Sequence, residues 1–233
     1  KQQHFNLALP LAKRASKLSP SEKSAALQLV ALHVRLGQWQ EAGHALDVAL
    51  RKNAILRSER RHYRGLLQLM QGTQLLEERQ PEAALALARN VIKTLPDFPP
   101  AIVFAARAYA LNNKPDKAIS LLLAHWKHGP HPDVAAALRI LLVKEPAGRQ
   151  LKVVKKLAAT LPSHLESQLA LAETAIILKE WETARTALKA ALAIRQSARA
   201  CKLMAYVEQG EFSDYDAAGR WLAKSADAPP DAW

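Results

Sequence analysis

Thirteen prolines punctuate this sequence, and their positions confine it to short helices. Pro20, Pro81, Pro96, Pro99, Pro100, Pro115, Pro130, Pro132, Pro146 and Pro162 all fall between blocks rich in Ala and Leu. Proline is tolerated in the first turn of a helix but costs about 3 kcal/mol inside one. The blocks left between prolines run about 10 to 18 residues, which are ordinary helix lengths. Pro10 is expected in the first turn of an opening helix, and Pro229 and Pro230 break the C-terminal tail. With 8 glycines and 6% aromatic residues in 233, glycine-rich loops and β-strands are disfavoured, so an all-α chain is expected. Apolar residues at 49% exclude a disordered chain and supply a continuous core.

The helical blocks repeat. Ala118, Leu151, Ala184 and Ala217 stand 33 residues apart (151−118, 184−151, 217−184). Fourteen residues before each lies Phe104, Ala137, Ala170 or Leu203, and four residues after each lies Leu122, Lys155, Leu188 or Trp221. Lys155 breaks the apolar rule at that place, so the fourth unit has the loosest register. Upstream the unit continues through Ala83 and Ala42 at intervals of 35 and 41 (118−83, 83−42). The longer interval implies an extended helix within Arg57 to Gln80.

Two stretches are copies of one helix–turn–helix junction: Leu36-Gly37-Gln38-Trp39-Gln40-Glu41-Ala42 and Leu178-Lys179-Glu180-Trp181-Glu182-Thr183-Ala184. Ala106 and Tyr109 occupy a small and an aromatic place on a first helix. Pro96, Pro130 and Pro162 close units. Small side chains allow helices to cross closely, and large apolar ones fill the grooves between them. In these residues the chain resembles the tetratricopeptide repeat family. The resemblance implies a right-handed α-solenoid of about six helix pairs behind an N-terminal half-repeat. Residues 1–20 are then the half-repeat, 21–226 the solenoid and 227–233 a tail, all in one domain.

The end of the chain, from Asp216 through Arg220-Trp221-Leu222 to Ala228-Pro229-Pro230-Asp231 and Trp233, also resembles the C-terminus of HemY-like proteins. The opening Ala12-Lys13-Arg14-Ala15 and Leu18-Ser19-Pro20 fit that family's repeat region. The resemblance implies a bacterial inner-membrane protein associated with late porphyrin and haem biosynthesis. An N-terminal anchor would precede Lys1, with the cytoplasmic side preferred for the domain. No apolar run in the chain approaches 18 residues. It also implies a scaffold with haem-pathway enzymes as partners, or alternatively a haem or porphyrin carrier or sensor. A general tetratricopeptide scaffold in envelope assembly is the third alternative.

Catalytic signatures are absent: there is no phosphate loop, G-x-G-x-x-G, G-x-S-x-G or H-E-x-x-H, so a non-enzymatic protein is expected. The single cysteine, Cys201, excludes an internal disulfide and reads as a small buried hydrophobe. His125, His128 and His131 lie within seven residues, and His62-Tyr63 are adjacent. Either set offers haem-iron ligands, against the plainer reading of packing and turn residues. No metal site and no resident cofactor is expected otherwise. Trp39, Trp181 and Trp221 read as packing residues, and Trp233 as a cap on the last repeat.

Charge carries the remaining clue. Thirty-three Lys and Arg against 21 Asp and Glu leave +12. Residues 1–116 hold 17 basic and 9 acidic side chains, and the remainder holds 16 and 12. Arg57, Arg60, Arg61 and Arg64 follow i, i+3, i+4, i+7 spacing, which makes a basic stripe on one helix face. Counting by the repeat, the groove candidates are Arg107, Glu173, Arg199, Lys202 and Tyr206. Arginine forks bind carboxylates, so the expected targets are acidic peptide segments, a peptide C-terminus or porphyrin propionates, against the plainer reading of a solvated charged face. Nucleic acid is disfavoured, because no aromatic platform interleaves with the basic residues.

Overall fold

The computed structural model describes residues 2–229, with side chains from Leu7 onward, and these residues hold thirteen helices and no strand. Two compact units divide the chain, Lys1–Lys114 and Pro115–Trp233. The first contains α1 (Gln2–Leu18), α2 (Lys23–Arg35), α3 (Trp39–Arg51), α4 (Arg57–Glu77), α5 (Pro81–Thr94) and α6 (Pro99–Leu111). The second contains α7 (Pro115–Trp126), α8 (Pro132–Leu142), α9 (Ala147–Thr160), α10 (Leu165–Ile177), α11 (Trp181–Ile194), α12 (Ala198–Phe212) and α13 (Tyr215–Asp227). In sequence order α1 precedes six successive pairs of a first and a second helix. The long α4, with 21 residues, accounts for the stretched interval after Ala42.

Prolines start helices as expected: Pro81, Pro99, Pro115 and Pro132 are first residues of α5, α6, α7 and α8. Pro10 departs from the expectation. It lies inside α1, eight residues after the helix begins at Gln2, where its ring removes a ladder N–H. Pro10 is exposed, and α1 packs on α2.

Each first helix except α8 ends on a residue in the left-handed region: Gly37, Arg79, Asn113, Lys179 and Ser213, with φ between 55° and 70°. The amide after each donates back over the helix end, as in Gln38 N to His33 O (2.9 Å) and Glu180 N to Ala175 O (2.8 Å). This closure satisfies carbonyls the helix would otherwise leave open. Only Gly37 adopts the conformation without a Cβ penalty. Five residues after each turn comes an alanine, at 42, 84, 118, 184 and 218, and all five are buried.

This geometry corrects the repeat register. Ala84, fully buried, takes the small place expected of Ala83, which is exposed. The interval to Ala118 becomes 34 (118−84), and so does that from Ala184 to Ala218 (218−184). In α9 the expected core residue Lys155 is exposed, and Val154, Leu157 and Ala158 are buried instead. Their i, i+3, i+4 spacing matches Ala184, Ala187 and Leu188 of α11. An ammonium has no counter-charge inside such a seam, so the apolar Leu157 takes the inward place.

Each unit has its own core. Ala26, Leu46, Ala49, Ala54 and Ile55 form one in the first unit, with Tyr63 packed against it. Leu169, Leu188, Met204 and Val207 anchor one in the second, with Trp221 against it. Glycines let rings approach a helix backbone. A Cβ on Gly72 would lie 2.2 Å from Phe104 Cζ, and one on Gly210 would lie 2.4 Å from Trp181 Cη2. Trp126 is fully buried and donates from Nε1 to Ser167 Oγ at 3.0 Å, which satisfies both polar groups. Trp39 and Trp181 open α3 and α11 half-buried. Trp233 and most of the 227–233 tail lie outside the described residues.

Candidate partner-binding surface

In the second unit the first helices of successive pairs, α8, α10 and α12, pack side by side. A ladder of charge crosses them. Arg199 sits in the first turn of α12, which Ser197 caps by accepting from Ala200 N at 3.2 Å. Its Nη1 donates to Glu166 Oε2 (2.9 Å), and its Nε (2.7 Å) and Nη2 (2.5 Å) donate to Glu173 Oε1. Arg139 of α8 completes the ladder, with Nη1 2.7 Å from Glu173 Oε2 in an ion pair that lacks hydrogen-bond alignment. Glu166 is only 2% exposed, and Arg199 supplies its carboxylate with a counter-charge. Burial pulls the Arg199 pKa down, and the charges of Glu173 and Glu166 more than reverse this, so the guanidinium stays charged.

Large apolar side chains stand exposed on the same three helices and their ends: Ile140 (71%), Val143 (67%), Ile177 (67%) and Tyr206 (62%). Lys202, also exposed, lies one turn before Tyr206 on α12. The ladder ties the three helices together, and the apolar residues are exposed on the same helices and at their ends. A surface of this composition suits an extended polypeptide that offers apolar side chains with a carboxylate for Lys202.

A second network braces the next layer. Arg185 of α11 donates bidentately to Glu208 (2.7 and 3.0 Å) and to Glu211 Oε2 (3.1 and 2.7 Å), with the Phe212 ring 5.1 Å from its guanidinium carbon. The Arg185 hydrogen bonds hold the Glu208 carboxyl below its ordinary range, and those of Glu208 raise Arg185.

The structure distributes the other sequence candidates widely. Arg57, Arg60, Arg61 and Arg64 are all exposed on α4. Arg64 grips Asp47 of α3 at 2.8 and 3.0 Å, Arg60 reaches the same carboxylate at 3.5 Å, and Arg61 donates to the carbonyl of Lys93 on α5. Three members of the stripe therefore turn toward neighbouring second helices. Arg107 is exposed on α6 in the first unit. Glu173 and Arg199 are brought together, and Lys202 and Tyr206 lie on the helix that carries Arg199.

The histidines do not converge. His125 is buried on α7, His128 is exposed in the following turn, and His131 caps α8 by accepting from Asp133 N at 3.2 Å. His62 is exposed, and its ring meets Tyr63 edge-on at 6.0 Å. Tyr63 belongs to a core margin. Among the described residues no three His, Cys, Asp or Glu side chains are placed to hold a metal ion. Cys201 is fully buried, which raises its thiol pKa and keeps it protonated.

Sequence reasoning missed Arg139, Glu166 and the exposed Ile140, Val143 and Ile177. A signal for two of them was present. Ile140 lies 33 residues after Arg107 and 33 before Glu173 (140−107, 173−140), and Glu166 lies 33 before Arg199 (199−166).

The tetratricopeptide repeat family model matches residues 75–141. Tetratricopeptide repeats are thus present in the chain, and its fold is all-α. A probable magnetosome protein, Mms48 of Magnetospirillum gryphiswaldense, is 29% identical over 199 residues, or 84% of this chain. The chain spans 43% of that relative's length. Among solved structures, a tetratricopeptide repeat protein from Parabacteroides merdae aligns over 98% of this chain and 88% of its own, with 13% identity and a TM-score of 0.48. A thermophilic tetratricopeptide protein of Thermus thermophilus aligns over 72% and 93%, with 21% identity and a TM-score of 0.46. No helix among the described residues is long and apolar enough to cross a membrane.

Proposed function

We propose that this chain is a non-enzymatic scaffold whose α8–α10–α12 face holds an extended segment of a protein partner. The observation that carries this reading is the Arg139–Glu173–Arg199–Glu166 ladder with Ile140, Val143, Ile177 and Tyr206 exposed beside it. Four charged groups are committed to one another, so the face is pre-organised, and the apolar side chains stay in water until a partner covers them. Pre-organisation lowers the ordering cost of binding.

The cellular setting is the second part of the proposal. The stretch from Asp216 to Trp233 supports a HemY-like protein held at the bacterial inner membrane by an anchor preceding this chain, with haem-pathway enzymes as partners. The 29% identical relative is named a probable magnetosome protein.

The test is site-specific photocrosslinking of the anchored full-length protein in cells. A photoreactive residue at Tyr206 is compared with one at Lys152, an exposed residue of the second helix α9. Partner adducts at 206 and none at 152 are expected, with late haem-pathway enzymes among them. Equal adducts at both positions contradict the face, and envelope-assembly factors in place of haem enzymes contradict the setting.

A further inference from the structure

The first unit contains a cleft of about 630 Å³ that the scaffold reading does not use. Its walls are α1 and α3, and its floor is α2. The floor and inner walls are apolar, from Ala26, Leu29, Ala45, Val48 and Ala49. The rim is basic: Lys13, Lys17 and Lys52 line the cleft, and Glu41 is the one acidic side chain among the described lining residues.

The topology orders these groups. Short connections join α1 to α2 and α2 to α3, so each pair runs antiparallel. Lys17 near the end of α1 and Lys52 at the C-cap of α3 therefore mark the same end of the cleft. Lys13 stands one turn before Lys17 on the same face of α1. The opposite end is polar, with Gln40, Glu41 and His44, and with His33, whose Nδ1 lies 2.7 Å from Gln38 Oε1. One end thus carries ammonium groups, the middle is apolar and the far end is neutral to acidic.

We infer that this cleft binds a small amphiphilic anion, with a single anionic head between Lys17 and Lys52 and an apolar body along Leu29, Ala45 and Val48. Two features select this class. The volume falls within the range of about 300–1,000 Å³ typical of small-molecule pockets. Three lysines against a single carboxylate, which stands at the far end, favour an anion over a neutral ligand, because burying the apolar body beside them lowers the local dielectric and strengthens the ionic contact.

The experiment titrates the full chain with cis-parinaric acid, a fluorescent monocarboxylate, below its critical micelle concentration, and with its methyl ester. Saturable binding at one equivalent is expected, with the ester at least about tenfold weaker. Lys17→Glu with Lys52→Glu is expected to weaken the acid about tenfold or more. Both side chains are exposed, so the far-UV spectrum and unfolding midpoint should stay unchanged. A second variant, Val48→Trp, fills the middle of the cleft and is expected to abolish binding of acid and ester alike. The inference is overturned by absence of saturation, by equal affinity for acid and ester, or by unchanged binding in the folded double variant. Binding to anionic lipid vesicles that survives in both variants, without binding of the free acid, marks a membrane-surface effect and likewise overturns it.

Discussion

The two units use arginine and lysine in different ways. Residues 1–114 carry 17 basic and 8 acidic side chains, and residues 115–233 carry 16 and 13, giving +9 and +3. In the second unit Arg139, Arg185 and Arg199 are spent on carboxylates of neighbouring helices, each largely shielded from water. In the first unit Asp47 serves both Arg60 and Arg64 at the surface, and the lysines of the α1–α3 cleft face a mainly apolar floor. Charge near the core of a repeat array fixes helix against helix. Charge at its margin remains available for ligands and contributes little to stability.

The largest expected effect comes from breaking the ladder. Arg199→Leu removes the guanidinium that faces the buried Glu166 and leaves Glu173 with Arg139, and chemical denaturation should show a loss of about 3 kcal/mol. Retention of full stability would mean that the ladder is not structural.

Next come the glycines that admit rings. Gly72→Ala drives a methyl against Phe104, which is locked in the first unit's interior at 4% exposure. Overpacking of this kind costs about 1–3 kcal/mol. Gly210→Ala meets Trp181, which is only half-buried and is less confined than Phe104. The helix-propensity gain of about 1 kcal/mol offsets much of that cost. Thermal unfolding should therefore rank Gly72→Ala well below Gly210→Ala, and the reverse order would refute the packing argument.

A smaller effect is expected with pH. Glu208 has its folded pKa lowered by Arg185, so the stability it supplies is complete above its ordinary value of about 4.5. That contribution is lost as pH falls through the folded value. Urea midpoints measured from pH 7 down to 3 should decline less steeply in Glu208→Gln than in the wild type. The smallest effect belongs to Asp47→Asn. The pairs with Arg60 and Arg64 are solvent-exposed, so a change of about 0.5 kcal/mol is expected, shrinking further in added salt. A loss comparable with that of Arg199→Leu would erase the distinction between the units.

Much of the fold was legible because proline and alanine carry direct physical meaning. Prolines mark where helices start, and alanines at 42, 118 and 184 mark where they cross. Register failed at three places, Ala83, Lys155 and Ala217, because composition alone does not fix where the turn falls. Adjacent alanines at 83 and 84 satisfy the same composition, and only the turn at Arg79 decides between them. In α9 no alanine takes the crossing place, so spacing alone put Lys155 inside. Pro10 shows that the preference of proline for helix starts has exceptions that spacing does not mark.

The site was legible in its members and not in its pairings. Glu173 and Arg199 both came from the repeat count, yet their contact joins residues 26 apart on different helices, which periodicity does not reveal. The Arg57–Arg64 stripe was correctly periodic, but its direction depends on Asp47, a residue with no motif around it. The α1–α3 cleft left no sequence signal, because its three lysines come from two helices and have no common spacing.

The most direct measurement compares the two units in the full-length protein. Partners are co-purified from cells and quantified by mass spectrometry for the wild type, for Ile140→Asp with Tyr206→Ala, and for Lys17→Glu with Lys52→Glu. The account predicts that one partner set is lost from the α8–α10–α12 variant and kept by the cleft variant. Partner retention by the first variant, with both proteins folded, would contradict the assignment of partner binding to the second unit.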